Sequence, residues 1–244
     1  MTNIDAPQRA KPSEATSLEG CGSLKDAVNG NYDFNVGEVI SEAWAKTKGA
    51  KTPLLMAFFL YGFVVICFNI MLGFLFSTLG FGEMGVSLLV PMMQILLTAP
   101  LSVGLFILGI RRSVDASLSS THIFNYCDQT LSLVATTLLM YLCIALGFLA
   151  LIIPGIYLSI AYYMALPLVV EKHLSPWQAL EVSRKAVGKH WFGVLGLGML
   201  IGLINMLGFL AIGIGLIWTL PMSLIAYGIL YRNMFGLEAE TLAV

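Results

Sequence analysis

The chain has 244 residues, of which 58% are hydrophobic and only 11% charged, with a formal net charge of −1. A soluble domain carries about 25% charged residues. So few charges exclude a soluble fold of this size. The net total is uninformative, but its distribution is not, and beyond short basic clusters it leaves no nucleic-acid footprint. The four cysteines, Cys21, Cys67, Cys127 and Cys143, have neither CxxC nor metal-ligand spacing, which argues against a disulfide framework.

Residues 1–33 are polar, with prolines and glycines throughout. They lack the apolar core of a signal peptide and read as a disordered cytoplasmic tail. Thr2 stands where N-myristoylation needs glycine.

Residues 34–49 then show apolar side chains at Val36, Val39, Ile40, Ala43 and Trp44. That is one face of a helix, with Glu38, Glu42 and Lys46 on another. It predicts an amphipathic helix at the headgroup level, anchored by Trp44.

Long uncharged stretches follow. Residues 131–170 and 191–231 contain no Asp, Glu, Lys, Arg or His, and between Pro53 and Ile110 the only such residue is Glu83. A bilayer core needs about 20 apolar residues per helix. The pattern predicts an all-α, polytopic membrane protein with six spans, at about 53–76, 86–110, 131–153, 155–170, 191–212 and 214–231. Very short turns, Ile153-Pro154-Gly155 and Gly213-Ile214-Gly215, join the spans of the second and third pairs, so the six form three hairpins. The runs are too long for barrel strands and lack their alternation.

Basic residues fall only on alternate sides. Lys46, Lys48 and Lys51 precede the first span, and Arg111 and Arg112 follow the second. Lys172, Arg184, Lys185 and Lys189 lie between the fourth and fifth, and Arg232 closes the sixth. This positive-inside pattern places both termini and both longer loops in the cytoplasm. Arg111, Arg112, Arg184, Lys185 and Lys189 are candidate contacts for anionic lipid headgroups.

The hairpins share a vocabulary, which suggests three parallel repeats at about 34–112, 120–172 and 175–235 within a membrane domain of residues 34–236, followed by a cytoplasmic tail, 237–244. Leu-Gly-Phe recurs at 72–74, 146–148 and 207–209. A proline follows in each second helix, at Pro100, Pro167 and Pro221; Ser102 and Arg111 after the first match Ser223 and Arg232 after the third. Prolines bend helices, and three bends at matched height would either pack together or surround a cavity. Ser175-Pro176-Trp177-Gln178 starts a second amphipathic helix with a capping box. A shorter copy lies at 120–128.

Candidate chemistry is sparse. His122, His173 and His190 have no ligand partner at i+3 or i+4, and no metal, cofactor or catalytic group is expected. Gly198 and Gly202 form a Gly-xxx-Gly pair suited to close helix approach. Asn69, Gln94 and Asn205 are the polar residues inside spans. They serve either as inter-helix hydrogen bonds or as the lining of a cavity.

The run from Leu146 to Tyr157, then Ala165-Leu-Pro-Leu-Val-Val170, Ser175-Pro-Trp-Gln-Ala-Leu180 and Ser183-Arg-Lys185 ahead of Trp191 resembles a family of polytopic bacterial inner-membrane proteins. That family is related to the membrane domain of some glycerophosphodiester phosphodiesterases. The resemblance is good over about 140–235 and looser over 34–130. It implies a six-helix plasma-membrane protein. It does not imply the phosphodiesterase reaction, which belongs to a separate soluble domain. The resulting expectation is a non-enzymatic scaffold or regulatory module, with membrane lipids and another inner-membrane protein or a second copy as partners. The alternative is a transporter or lipid-translocating protein with a cavity among proline-bent helices.

Overall fold

The computed structural model describes residues 22–238 and residue 241. Among these residues all regular structure is helical. The ten helices are α1 (Leu24–Asn29), α2 (Val36–Thr47), α3 (Lys51–Thr78), α4 (Glu83–Ser113), α5 (Thr130–Ala150), α6 (Ile152–Ala161), α7 (Ala165–Glu171), α8 (Pro176–Lys189), α9 (Trp191–Leu210) and α10 (Leu216–Phe235). Two short 3-10 turns, Ser120–Phe124 and Cys127–Gln129, precede α5.

Five stretches are long and apolar enough to cross a membrane: Lys51–Thr78, Glu83–Ser113, Ser120–Ala150, Ile152–Glu171 and Trp191–Leu210. The stretch expected as the sixth span, α10, is not among them. Thr219, Ser223, Tyr227, Tyr231, Arg232 and Asn233 dilute its apolar content. It is also one of the most buried helices, so its environment is protein rather than lipid.

The matched prolines mark a change of environment. In α4 only Val90 is buried before Ala99, whereas most of the helix from Ala99 to Ser113 is buried. In α7 every residue except Leu166 is buried, and α10 is mostly buried from Thr219 onward. These segments pack together as the core. By contrast α3 buries only Leu54, Ala57 and Leu72, and Phe59, Phe63, Ile70 and Phe74 face outward. A contiguous apolar surface of this extent requires lipid or protein around it.

The prolines act differently on their helices. Pro91, Pro100 and Pro221 sit inside unbroken helices. Hydroxyls satisfy nearby carbonyls, with Thr98 donating to Gln94 O (3.1 Å), Ser102 to Ala99 O (2.9 Å) and Ser223 to Thr219 O (2.6 Å). Pro167 instead separates α6 from α7. It cannot donate to Tyr163 O and its ring crowds that carbonyl. The chain tightens there, with Tyr163 N bonding Ile160 O (3.2 Å) and Ala165 N bonding Tyr162 O (3.0 Å). The expected continuous helix over 155–170 is therefore two helices.

Glycine permits three close crossings. A Cβ at Gly109 would lie 2.2 Å from Leu224 O, and one at Gly228 would lie 2.3 Å from the Gly109 backbone. Gly147 meets Gly155, and Gly208 meets Gly215, at the turns joining α5 to α6 and α9 to α10. These are the glycines of the second and third Leu-Gly-Phe copies. Gly73, in the first copy, faces open space. So does Gly202, and Gly198 has only the Tyr227 hydroxyl at 3.6 Å. The Gly198/Gly202 pair is thus not a close-packing seam within this chain, because α9 diverges from α10 towards its N-terminus.

The amphipathic helices lie lengthwise against the bundle. α2 packs on α10, and α8 packs on α5, α6 and α7. The 3-10 turn at Ser120–Phe124 packs on α3 and α4, with Ile123 backbone against Gly104. Each of these elements therefore packs against a different set of helices. α8 starts with the expected capping box at Ser175 and Gln178. Its Ser183 hydroxyl donates to Ala161 O (2.7 Å), and Trp191 Nε1 donates to Tyr157 O (3.3 Å). The turn before Tyr157, expected on the side opposite the basic loops, thus approaches the N-terminal end of α9.

Residues 22–33 are not a free tail. Ser23 caps α1, Gly30 ends it with φ +83°, and Ala27 and Tyr32 are buried. Tyr32 donates its hydroxyl to Ala186 O (2.9 Å), and Gly22 N bonds Arg232 O (3.2 Å). A few aromatic and small residues in a polar segment gave no periodic signal for this docking. The rest of the expected tail lies outside the described residues, as does Cys21.

Candidate functional site

A crevice of about 380 Å³ opens at the level of the three matched prolines. It is walled by Tyr61 from α3, Ser102 and Phe106 just after Pro100, Tyr162 and Tyr163 in the break before Pro167, and Leu224 just after Pro221. The geometry follows from the burial switch. Helices that diverge into lipid on one side and converge into a core on the other leave a gap where they part. The α6–α7 break widens it by turning Tyr162 and Tyr163 out of a regular helical row.

Tyr163 and Ser159 also belong to a second crevice of about 300 Å³, lined further by Val194, Gly198 and Tyr227. Tyr163 stands between the two. Its ring lies 4.6 Å from that of Tyr227 and 5.9 Å from that of Phe106. The aromatic series continues from Phe106 to Tyr231 (6.3 Å) and Phe235 (5.1 Å from Tyr231).

The wall is chemically quiet. Ser102 donates to Ala99 O and Ser159 to Gly155 O (2.8 Å), so both hydroxyl protons stay within their own helices. Asn69, Gln94 and Asn205 do not line either crevice. Asn69 bonds Val65 O in its own helix (3.0 Å). Asn205 Nδ2 donates to Ser223 Oγ across the α9–α10 contact (2.8 Å), while its Oδ1 is buried without a partner. Gln94 is half-buried, one turn before Thr98. The three are not brought together.

The basic candidates divide into two sets. Arg111 is only 1% exposed, and donates to Ser117 O (3.1 Å) and Thr241 O (2.7 Å). Arg112 donates to Lys46 O (2.8 Å) and Lys48 O (3.0 Å) and pairs with Asp115. Arg111 is thus an internal strut, whereas Arg112 ties the end of α4 to the end of α2 and stays partly exposed. Arg184, Lys185 and Lys189 are exposed on α8, beside exposed Trp177. The hydrogen bond from Lys185 (2.7 Å) holds the Glu181 carboxyl below its ordinary range.

Sequence reasoning missed the polar network that joins the ends of α2, α4, α7 and α10. Arg232 chelates Glu42 (2.8 and 3.0 Å) and bonds Ser113 O (2.6 Å). Lys46 pairs with Asp115. Buried Glu171 accepts from Glu238 N (2.6 Å) and the Thr241 hydroxyl, and Lys172 pairs with Glu238 (2.8 Å). Lys51 reaches the ring of Trp218, 4.9 Å from its centroid. The shared spacing from Pro100 to Arg111 and from Pro221 to Arg232 was the available signal. Among the described residues no group of three His, Cys, Asp or Glu side chains is placed to hold a metal.

Compared with family models, with curated proteins and with solved structures, the chain matches none.

Proposed function

We propose that the chain is a multi-pass module of the bacterial inner membrane, with both termini cytoplasmic, that scaffolds or regulates another membrane protein or a lipid process. It holds and positions rather than converts. One observation carries this reading: the cytoplasmic ends of α2, α4 and α10 are locked together by Arg232, Glu42, Arg112, Asp115 and Lys46, whereas α8 keeps Arg184, Lys185, Lys189 and Trp177 on its open face. A rigid base with one cationic, tryptophan-bearing helix suits contact with anionic headgroups or an acidic partner.

The charge distribution supports six apolar stretches in three hairpins, and the shared cyclic placement of α2, α8 and the Ser120–Phe124 turn supports an internal repeat. The middle hairpin is the exception in depth. The contact of Tyr157 with Trp191 favours a tip that stays in the inner half of the bilayer. Hairpins return the chain to its starting side, so the termini share a compartment either way. The likeness to the inner-membrane family related to the phosphodiesterase membrane domain agrees with this placement.

The test is gentle detergent extraction followed by mass spectrometry of co-purifying lipids and proteins. A partner or anionic lipid that is retained by the native chain and lost in an Arg184→Gln, Lys185→Gln, Lys189→Gln variant is expected. Recovery of an unaccompanied chain that moves a solute across proteoliposomes would overturn the reading in favour of transport. Reporter fusions at Glu83 and Ile214 are expected to be active only outside the cytoplasm.

A further inference from the structure

We propose that the crevice at the proline level holds an acyl chain of a membrane phospholipid, entering sideways from the bilayer and passing beside Tyr163. This goes beyond the module reading and depends only on membrane insertion. A volume of about 380 Å³ lies in the range of small-ligand pockets. Its position identifies the occupant. It lies where the lipid-exposed part of α4, before Ala99, gives way to the buried part. Hydrocarbon is therefore the medium at its mouth.

The wall chemistry points the same way. A sugar, ion or amino acid would need free donors in a low-dielectric site, since an unpaired buried polar group costs free energy. The two serines present have committed their protons to Ala99 O and Gly155 O. What remains is largely side-chain hydrocarbon and aromatic faces, from Phe106, Met140, Ile144, Leu166 and Leu224, with the tyrosine hydroxyls of Tyr61, Tyr162 and Tyr163 as the other polar groups. A chain of methylenes matches this mainly apolar surface. Tyr163 lines both crevices and is 41% exposed, so the second crevice, which reaches Gly198 on α9, adjoins the first.

The experiment uses the full chain in vesicles containing a phospholipid with a diazirine near the middle of its acyl chain. After irradiation, adducts are mapped by peptide mass spectrometry. Labelling is expected at Met140, Ile144 and Leu166, and should persist when the vesicles are diluted with unlabelled lipid more strongly than labelling at Phe63 and Phe74 on the outer belt. Ile144→Trp fills the crevice and should reduce crevice labelling several-fold while leaving Phe63 labelling unchanged, which also reports that the chain is inserted. As a second readout, native mass spectrometry after detergent exchange should retain one phospholipid per chain, lost in Ile144→Trp. The proposal is overturned by labelling confined to the outer belt, by crevice labelling that dilutes in step with it, or by a retained lipid indifferent to Ile144→Trp.

Discussion

The two sides of the matched prolines are made of much the same amino acids and behave in opposite ways. Before Pro100, α4 is an apolar helix with one buried residue, facing outward like α3. After it, the same helix is almost wholly interior. α10 repeats this around Pro221, and in the middle segment burial sets in at Ala161, six residues before Pro167. The difference lies not in hydrophobicity but in small residues and chain ends. The buried halves carry Gly104, Gly109 and Gly228 at backbone-to-backbone contacts, and end in the residues of the polar network. The exposed halves meet through glycine only at the tight turns, Gly147 with Gly155 and Gly208 with Gly215, and have no such network. In a bilayer apolar surface gains little by leaving lipid, so close packing and polar locks decide which segments associate.

The sharpest way to break this contrast is to add side chains to glycines on each side. Gly109→Leu and Gly228→Val force α4 and α10 apart against backbone atoms, and should cost more than about 3 kcal/mol and abolish a monodisperse detergent-solubilised protein. Gly62→Ala and Gly202→Ala, where nothing lies within 4 Å, should leave thermal stability in detergent unchanged or slightly raised. If all four behaved alike, the core would have been assigned to the wrong halves.

The polar lock comes next. Glu42→Gln removes a charge from the bidentate Arg232 contact and should destabilise by about 2 kcal/mol. A loss of the same size is expected in Arg232→Gln, and the double variant should cost much less than the sum in a double-mutant cycle.

Pro167→Ala sharpens the comparison among the prolines themselves. A regained donor towards Tyr163 O should let α6 run into α7, seen as increased hydrogen-exchange protection around Ala165–Leu168. Pro221→Ala, in a helix already unbroken, should show little change. The smallest effect is at the edge of the core. Tyr32→Phe deletes the hydrogen bond to Ala186 O, and should lower stability by about 1 kcal/mol without altering insertion.

Much of the architecture was legible in the residues. Helicity, the membrane-spanning apolar runs, the capping box of α8 and the amphipathic faces of α2 and α8 follow from local periodicity. The positions of the matched prolines were legible, but their consequence was not. A proline states that one hydrogen bond is lost, and only the neighbours decide whether the helix bends, breaks as at Pro167, or continues as at Pro221. The candidate site was legible in outline only. The proline level was the right place for a cavity, yet the polar residues in the spans do not line it. Asn69 satisfies itself locally and Asn205 reaches Ser223. Tyrosines were overlooked because an aromatic at helical spacing reads as packing.

The sequence by itself determined that this chain is helical, apolar beyond what water tolerates, and charged only at the ends of its apolar runs, because those properties depend on single residues and their spacing. Tertiary structure alone decided which half of each second helix is interior, which arginines are struts and which stay open, and where a gap remains between helices. Those outcomes depend on pairs of residues far apart in the chain, such as Gly109 with Leu224 and Arg232 with Glu42. Their meeting is a property of packing geometry that no local pattern encodes.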